Sequence, residues 1–157
     1  MRNIQNLSTQ ERIEALIKDN FPTTDVKTVT YTAGGDGATG ALTLFSVTGQ
    51  IKIVSLIPFC TLSLEETAGT VTTLLGVVGD TNLFLDTTEP EDIDTGEFWD
   101  ATAQATIAGV AIPASLKDIV ISANIIQTIV TSTISAGVMD FYLQWIPLSS
   151  DAAVVVA

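Results

Sequence analysis

Carboxylates are the chemically active side chains that this sequence groups most closely. Eight of them lie in the segment from Asp80 to Asp100, and no lysine or arginine occurs between Lys52 and Lys117. Three interpretations fit such a segment: a solvated acidic loop, an acidic patch that docks on a basic partner, or a site for a hard cation such as Ca²⁺. The stretch Asp92–Gly96 begins like a calcium loop, but its glycine comes one position early and no glutamate follows at the required offset.

Composition excludes most other catalytic chemistry. The chain has no histidine and one cysteine, Cys60, so a Ser-His-Asp or Cys-His nucleophile, a His/Cys zinc site and an intrachain disulfide cannot form. Cys60 ends an apolar run, which predicts a buried and unreactive thiol. A glycosidase needs only two carboxylates, and Glu97 and Asp100 lie near Trp99, although nothing in the sequence places them across a cleft. We therefore expect no enzyme activity, no cofactor and no metal.

A glycine-rich segment, Gly35–Gly40, matches the dinucleotide-binding pattern G-x-G-x-x-G. That function requires the loop to lead from a strand into a helix, whose N-terminus holds the pyrophosphate. The residues that follow, Ala41–Phe45, are typical of a strand, so the sequence favours a flexible hinge. Residues 1–39 are accordingly interpreted as an N-terminal helix and arm with a Gly-rich hinge, and residues 40–157 as a β-sandwich domain.

The composition favours β structure, since Thr, Ile and Val account for 53 of the 157 residues. The clearest strand is Val138–Ile146, in which Phe141, Leu143 and Trp145 alternate with polar neighbours and predict a row that faces the core. Eight to ten strands in one domain predict a mainly β fold, a jelly-roll-like β-sandwich with one short N-terminal helix.

The strand pattern is interrupted at two places. Adjacent apolar residues at Leu44-Phe45 and at Ile53-Val54 break the period-2 alternation and predict bulges or strands buried on both faces. The predicted strands are Val26–Thr32, Ala41–Thr48, Ile51–Cys60, Thr70–Val78, Leu83–Thr87, Gln104–Ile112, Asp118–Ile126, Thr128–Ile134, Val138–Ile146 and Ala153–Val156.

The N-terminal helix is predicted from Thr9 to Asn20. Ser8 and Glu11 fit a capping box, and Pro22 ends the helix because it disfavours helical geometry in the residue before it. The helix carries an apolar stripe that must be buried against the chain's own sheet or against a neighbouring molecule. The stripe is the candidate partner-binding surface and consists of Ile13, Leu16 and Ile17.

Charge and hydropathy limit the possible partners. The net charge of −12 repels phosphate backbones, so we expect no nucleic acid partner. The start of the chain lacks the apolar centre of a signal peptide, and the uncharged run Ile119–Met139 holds eight polar residues, which favours two strands over a membrane helix. Charged residues are only 15% of the chain, against about 25% in typical domains. This composition fits either a surface partly covered by partner subunits or a merely neutral Thr/Ser-rich surface.

Three segments resemble small tailed-phage virion proteins, the capsid decoration, cement or minor head proteins. They are Leu44–Ile51, Asp92–Asp100 and Gly137–Asp151, and the resemblance covers roughly residues 40–157. It implies a β-sandwich without enzyme activity that is synthesised in the host cytoplasm and binds the major capsid protein on the virion surface. By analogy with head decoration proteins it also implies a homo-oligomer, a trimer. The alternative is a head or tail fibre or spike module that binds host-surface glycans.

Overall fold

The computed structural model describes residues 8–11, 21–100 and 111–157. Within these ranges the chain is mainly β, with nine strands in two antiparallel sheets. Residues 9–11 are helical, and short 3₁₀ turns lie at Pro90–Asp92 and Ala114–Leu116. The strands are β1 (Thr23–Thr30), β2 (Gly40–Thr48), β3 (Ile51–Glu66), β4 (Thr72–Val77), β5 (Asp80–Thr88), β6 (Ile119–Ile121), β7 (Ile125–Val130), β8 (Ile134–Pro147) and β9 (Ala153–Val156).

The two sheets are built from strands that are distant in sequence. The first sheet has the order β1-β8-β3-β6, and the second has the order β5-β4-β7-β2-β9. Both sheets contribute to one cluster of buried apolar side chains. The fold is therefore sandwich-like, because each sheet buries its apolar face against the other.

The predicted core row on β8 is confirmed. Phe141 and Leu143 are fully buried, and Trp145 is 7% exposed. The Trp145 indole N–H donates to a carboxylate oxygen of Asp25 at 2.7 Å, which satisfies the polar end of the ring.

Both predicted interruptions of the strand pattern are also confirmed. The pairing of β2 with β7 shifts register between Thr43 and Phe45, and the pairing of β3 with β8 shifts between Ile53 and Ser55. The first bulge leaves Leu44 and Phe45 both fully buried. Two consecutive side chains can point inward here because the extra residue reverses the alternation.

The uncharged run from residue 119 to residue 139 is divided differently from the prediction. It forms β6, β7 and the start of β8, with a break at residues 122–124 between the first two strands. The Asn124 side chain accepts a hydrogen bond from the Val47 N–H at 2.9 Å, which fixes the turn. No helix in the described part of the chain is long and apolar enough to cross a membrane. Of the predicted strand at 104–112, residues 104–110 lie outside the described residues.

Residues 23–30, which the sequence assigns to the arm, form β1. This strand pairs with β8 along its whole length, from Thr23 opposite Trp145 to Thr30 opposite Val138. It is a strand of the first sheet, so any free arm is limited to residues that precede it.

The glycine-rich segment forms a hydrogen-bonded loop. The N–H groups of Gly35 and Gly37 donate to the Thr32 carbonyl at 3.0 and 3.1 Å, and the Ile134 N–H donates to the Gly37 carbonyl at 2.9 Å. A Cβ at Gly37 would lie 1.9 Å from the Ile134 carbonyl oxygen, so only glycine permits this approach. The loop leads directly into β2 at Gly40. Because no helix follows, the dinucleotide pattern does not form a dinucleotide site.

Candidate functional site

The acidic segment is held against the body of the fold. Its first part is β5, its middle is the 3₁₀ turn, and its last part follows the edge of β3. The Cys60 N–H donates to the Glu97 carbonyl at 2.8 Å, and the Trp99 N–H donates to the Pro58 carbonyl at 3.0 Å. These bonds fix the aromatic and acidic side chains at 97–100 to the rim of the first sheet.

The stretch that begins like a calcium loop is a tight turn. The Glu97 N–H donates to the Asp94 carbonyl at 3.1 Å, while the Glu97 carboxylate accepts the Asp94 N–H at 3.0 Å. Thr95 and Ser63 exchange backbone and side-chain hydrogen bonds at 2.8 and 2.9 Å. The turn is therefore closed on itself and on β3. Within residues 8–11, 21–100 and 111–157, no group of three or more potential ligands could hold a metal ion.

Two aromatic residues follow this turn and point in different directions. Trp99 is 1% exposed, and its indole N–H donates to the Thr88 hydroxyl at 3.0 Å. Phe98 is 36% exposed, and its ring centroid lies 5.0 Å from that of Phe59. The buried ring anchors the segment, whereas the Phe59–Phe98 pair presents an aromatic surface to solvent.

An apolar cavity of about 210 Å³ opens beside the aromatic pair. Residues 101–110, which join two of its lining residues, lie outside the described part of the chain. Asp100 supplies the acidic side chain in the wall, and Glu97 is absent from the lining. The described lining therefore suits an apolar group, and Glu97 and Asp100 do not face each other across this cavity. It is lined by Leu56, Ile57, Pro58, Phe98, Trp99, Asp100, Ile112, Pro113 and Leu116.

The thiol of Cys60 is buried and free, as the sequence predicts. Burial raises its pKa to about 11, and the thiol donates to the Leu62 carbonyl at 3.2 Å. At neutral pH it is protonated, so it is neither a nucleophile nor a metal ligand.

A buried polar network joins the two sheets and was not predicted from the sequence. The Tyr31 hydroxyl donates to the Gln127 side-chain carbonyl at 2.6 Å, and the Gln127 amide donates to the Thr73 hydroxyl at 2.8 Å. Burial raises the pKa of Tyr31 far above its usual range. The sequence feature that could have indicated this network is Gln127, a glutamine within the apolar run 125–130, because a buried amide needs hydrogen-bond partners.

The candidate partner-binding residues Ile13, Leu16 and Ile17 lie outside the described residues. The start of their predicted helix is described, and its capping box is confirmed. The Ser8 N–H donates to the Glu11 carboxylate at 2.8 Å, and the Glu11 N–H donates to the Ser8 hydroxyl at 3.4 Å. The hydrogen bonds from Ser8 lower the pKa of Glu11.

No protein-family model, no curated protein and no solved structure matches this chain.

Proposed function

We propose that this chain is a structural virion protein that binds and stabilises the outer surface of a phage capsid, without catalysis. The observation that carries the proposal is the strand order, β1-β8-β3-β6 in one sheet and β5-β4-β7-β2 in the other. This order is the one expected when eight strands fold as two Greek keys into a jelly roll, an architecture used by viral capsid and lectin domains. The proposal includes that topology, with β9 as an added edge strand.

The state of the reactive side chains supports a role in contacts and not in chemistry. The Cys60 thiol is neutral and buried, and the Tyr31 hydroxyl is bound to Gln127. The Glu97 carboxylate is bound to the backbone of Asp94. Each of these groups has a structural partner within the fold.

The outer face of the first sheet supports the proposal of a covered surface. Across β1, β8 and β3 its cross-strand rows carry one ionisable carboxylate, that of Asp140, which accepts hydrogen bonds from the Thr28 and Tyr142 hydroxyls at 2.5 and 3.4 Å. On a chain with a net charge of −12, such a face can contact a partner with little desolvation of charge. The rows are Thr24, Gln144 and Ser55; Val26, Tyr142 and Ile57; Thr28, Asp140 and Phe59; and Thr30, Val138 and Leu62.

A decoration protein acts through repetition. Weak contacts that bridge neighbouring capsomers add up over a symmetric shell, because the first contact that a copy makes raises the effective concentration for its next contact. The proposal includes self-association as part of this action, and the trimer implied by the resemblance stays a prediction.

The test is co-sedimentation with capsids purified from the phage whose genome encodes this chain. We expect saturable binding at a fixed copy number per capsid, together with a higher temperature of capsid disruption. No binding at concentrations of about 10–100 μM, equivalent to a free energy weaker than about −6 kcal/mol, would contradict the proposal.

The second candidate is a fibre or spike module that binds host-surface glycans. The exposed Phe98 ring beside the apolar cavity favours it, because sugars stack on aromatic faces and lectins also use jelly rolls. It predicts binding to host cells and not to capsids. In that case Phe98→Ala would abolish cell binding, while Tyr142→Ala, on the outer face of the first sheet, would leave it unchanged.

A further inference from the structure

Among residues 8–11, 21–100 and 111–157, β1 presents the longest regular unpaired edge of the two sheets. It pairs with β8 over eight residues without a register shift, and no strand in the described ranges pairs with its other side. The remaining edges are blunted: β6 has three residues, β9 has four, and β5 pairs with β4 in a broken register. A straight edge with unpaired N–H and C=O groups is a template for another strand.

The hydrogen-bond pattern identifies the backbone groups on the open side of β1. At the end of the strand, the Tyr31 N–H donates to the Gly137 carbonyl of β8 at 2.9 Å. Bonded and non-bonded residue pairs alternate along an antiparallel ladder, so the odd-numbered residues of β1 bond to β8. The N–H and C=O groups that point to the open edge therefore belong to Thr24, Val26, Thr28 and Thr30.

Asp25 and Lys27 determine how a second strand can pair at this edge. They flank Val26 and point to the opposite face of the sheet from it. If two copies pair antiparallel about a two-fold axis at Val26, Asp25 of each copy lies opposite Lys27 of the other. Val26 then meets Val26 of the second copy, and the outward backbone groups of both copies fall into the bonding positions.

The neighbouring registers are repulsive. A slip by two residues places either Asp25 opposite Asp25 or Lys27 opposite Lys27, and like charges directly opposite each other destabilise a strand pair. A slip by one residue would place residues whose N–H and C=O groups point to the open edge opposite residues whose groups bond to β8, so the two strands could not form a regular ladder. Of these registers, only the one centred on Val26 combines two opposite-charge pairs with complete backbone hydrogen bonding.

Existing contacts hold both charged side chains at the edge. Asp25 accepts the Trp145 indole N–H at 2.7 Å, and the Lys27 ammonium donates to the Ala157 carbonyl. A carboxylate accepts through two oxygens and an ammonium donates three protons. Both groups can therefore form a further hydrogen bond with a partner across the axis. Part of the conformational entropy that dimerisation would cost these side chains is already lost within the single chain.

We propose that two copies of this chain associate through their β1 edges, which joins two four-stranded sheets into one continuous sheet. The partner is a second copy because the edge is complementary to itself in charge. Val26 and Tyr142, 43% and 37% exposed, add apolar surface on both sides of the axis. Such a contact closes at two copies, so it differs from the trimer that the resemblance implies. It also stands independently of any capsid.

The first test is sedimentation equilibrium of the full chain and of two proline variants at about 1–100 μM, the range of moderate affinity. Val26→Pro removes the N–H at the centre of the proposed interface and no bond to β8. Val156→Pro is the matched control, because the Ala157 N–H bonds to the Leu44 carbonyl and the Val156 N–H therefore points to the open edge of β9. We expect dimers for the natural chain and for Val156→Pro, and monomers for Val26→Pro.

A second test uses the charges. Asp25→Lys alone and Lys27→Asp alone each oppose like charges across the axis, so each variant should be monomeric. In an equimolar mixture of the two variants, each lysine of one chain lies opposite an aspartate of the other, so mixed dimers should form. A monomeric or trimeric natural chain, an unchanged dimer in Val26→Pro, or a mixture of folded variants that stays monomeric would overturn the proposal.

Discussion

Among the described glycines, Gly37 is the one at which an added Cβ would approach another atom most closely. A Cβ there would lie 1.9 Å from the Ile134 carbonyl oxygen and 2.8 Å from the Thr32 carbonyl oxygen, and both atoms belong to the backbone. Neither can move without breaking the bonds that hold the loop to the start of β8. We expect Gly37→Ala to lower the free energy of unfolding by about 2–4 kcal/mol, measured by urea titration.

Gly34 provides the matched control in the same loop. No atom lies within 4 Å of a Cβ built there, so Gly34→Ala should change stability by less than about 1 kcal/mol. Equal effects of the two substitutions would show that the loop is loose and that the close approach at Gly37 is unimportant.

The buried thiol and phenol predict how stability depends on pH. Burial raises the pKa of Cys60 from its ordinary 9.0 to about 11, and it raises the pKa of Tyr31 in the same direction. The folded chain therefore keeps protons that the unfolded chain releases. The stability that the thiol contributes is complete below about pH 9 and is lost as pH rises through 11, whereas the loss from Tyr31 begins near its ordinary pKa of 10.0 and continues above this interval.

Urea midpoints measured across this alkaline interval test the prediction. The midpoint should fall with rising pH, and Cys60→Ala and Tyr31→Phe should each make the fall less steep. A midpoint that stays constant or rises would contradict the assignment of both groups as buried and neutral.

At the level of elements, β8 organises the first sheet. It pairs with β1 on one side and β3 on the other, and its inward row supplies Phe141, Leu143 and Trp145 to the core. Trp145→Ala should cost about 3–5 kcal/mol, because it opens a large cavity and leaves Asp25 without its indole donor. Chemical denaturation measures the loss. Gln144→Ala, the exposed neighbour on the other face, should cost less than about 1 kcal/mol.

The position of β1 limits how much of the N-terminal region can be deleted without loss of the fold. A deletion of residues 1–36 removes a paired strand of the first sheet, so we expect that chain to fail to fold. A deletion of residues 1–20 leaves all nine described strands and should retain the β circular dichroism spectrum. If the stripe of Ile13, Leu16 and Ile17 is the anchor, this shorter deletion abolishes capsid co-sedimentation. Capsid binding equal to that of the full chain would show that the stripe is not the capsid-binding surface.

At the scale of the whole molecule, the local sequence pattern predicted where strands form better than it predicted which strands pair with each other. The alternation around Phe141 and the two interruptions at Leu44-Phe45 and Ile53-Val54 are period-2 signals, which a single strand carries by itself. The partnership of β1 with β8 joins segments more than a hundred residues apart, and no local pattern encodes it. The glycines of Gly35–Gly40 predicted a hinge because composition cannot distinguish flexibility from close packing.

The candidate site was predictable only in its parts. Cys60 was recognisable as buried from its apolar run, and the acidic bias of the segment before Asp100 is plain in the sequence. The cavity arises because Pro58, Phe98 and Leu116 come together from three separate regions of the chain. Such a meeting depends on long-range packing, which residue spacing does not report.

The pairing of β1 with β8 has a consequence for synthesis on the ribosome. Thr28 and Asp140, which bond across these strands, are 112 residues apart in the chain. At about 5–20 residues per second, β1 waits on the order of ten seconds before its partner emerges. During that time both of its edges are open, and nascent chains on one messenger lie close together. The opposite charges of Asp25 and Lys27 would then restrict pairing between nascent chains to a single register, instead of a disordered set that leads to aggregates.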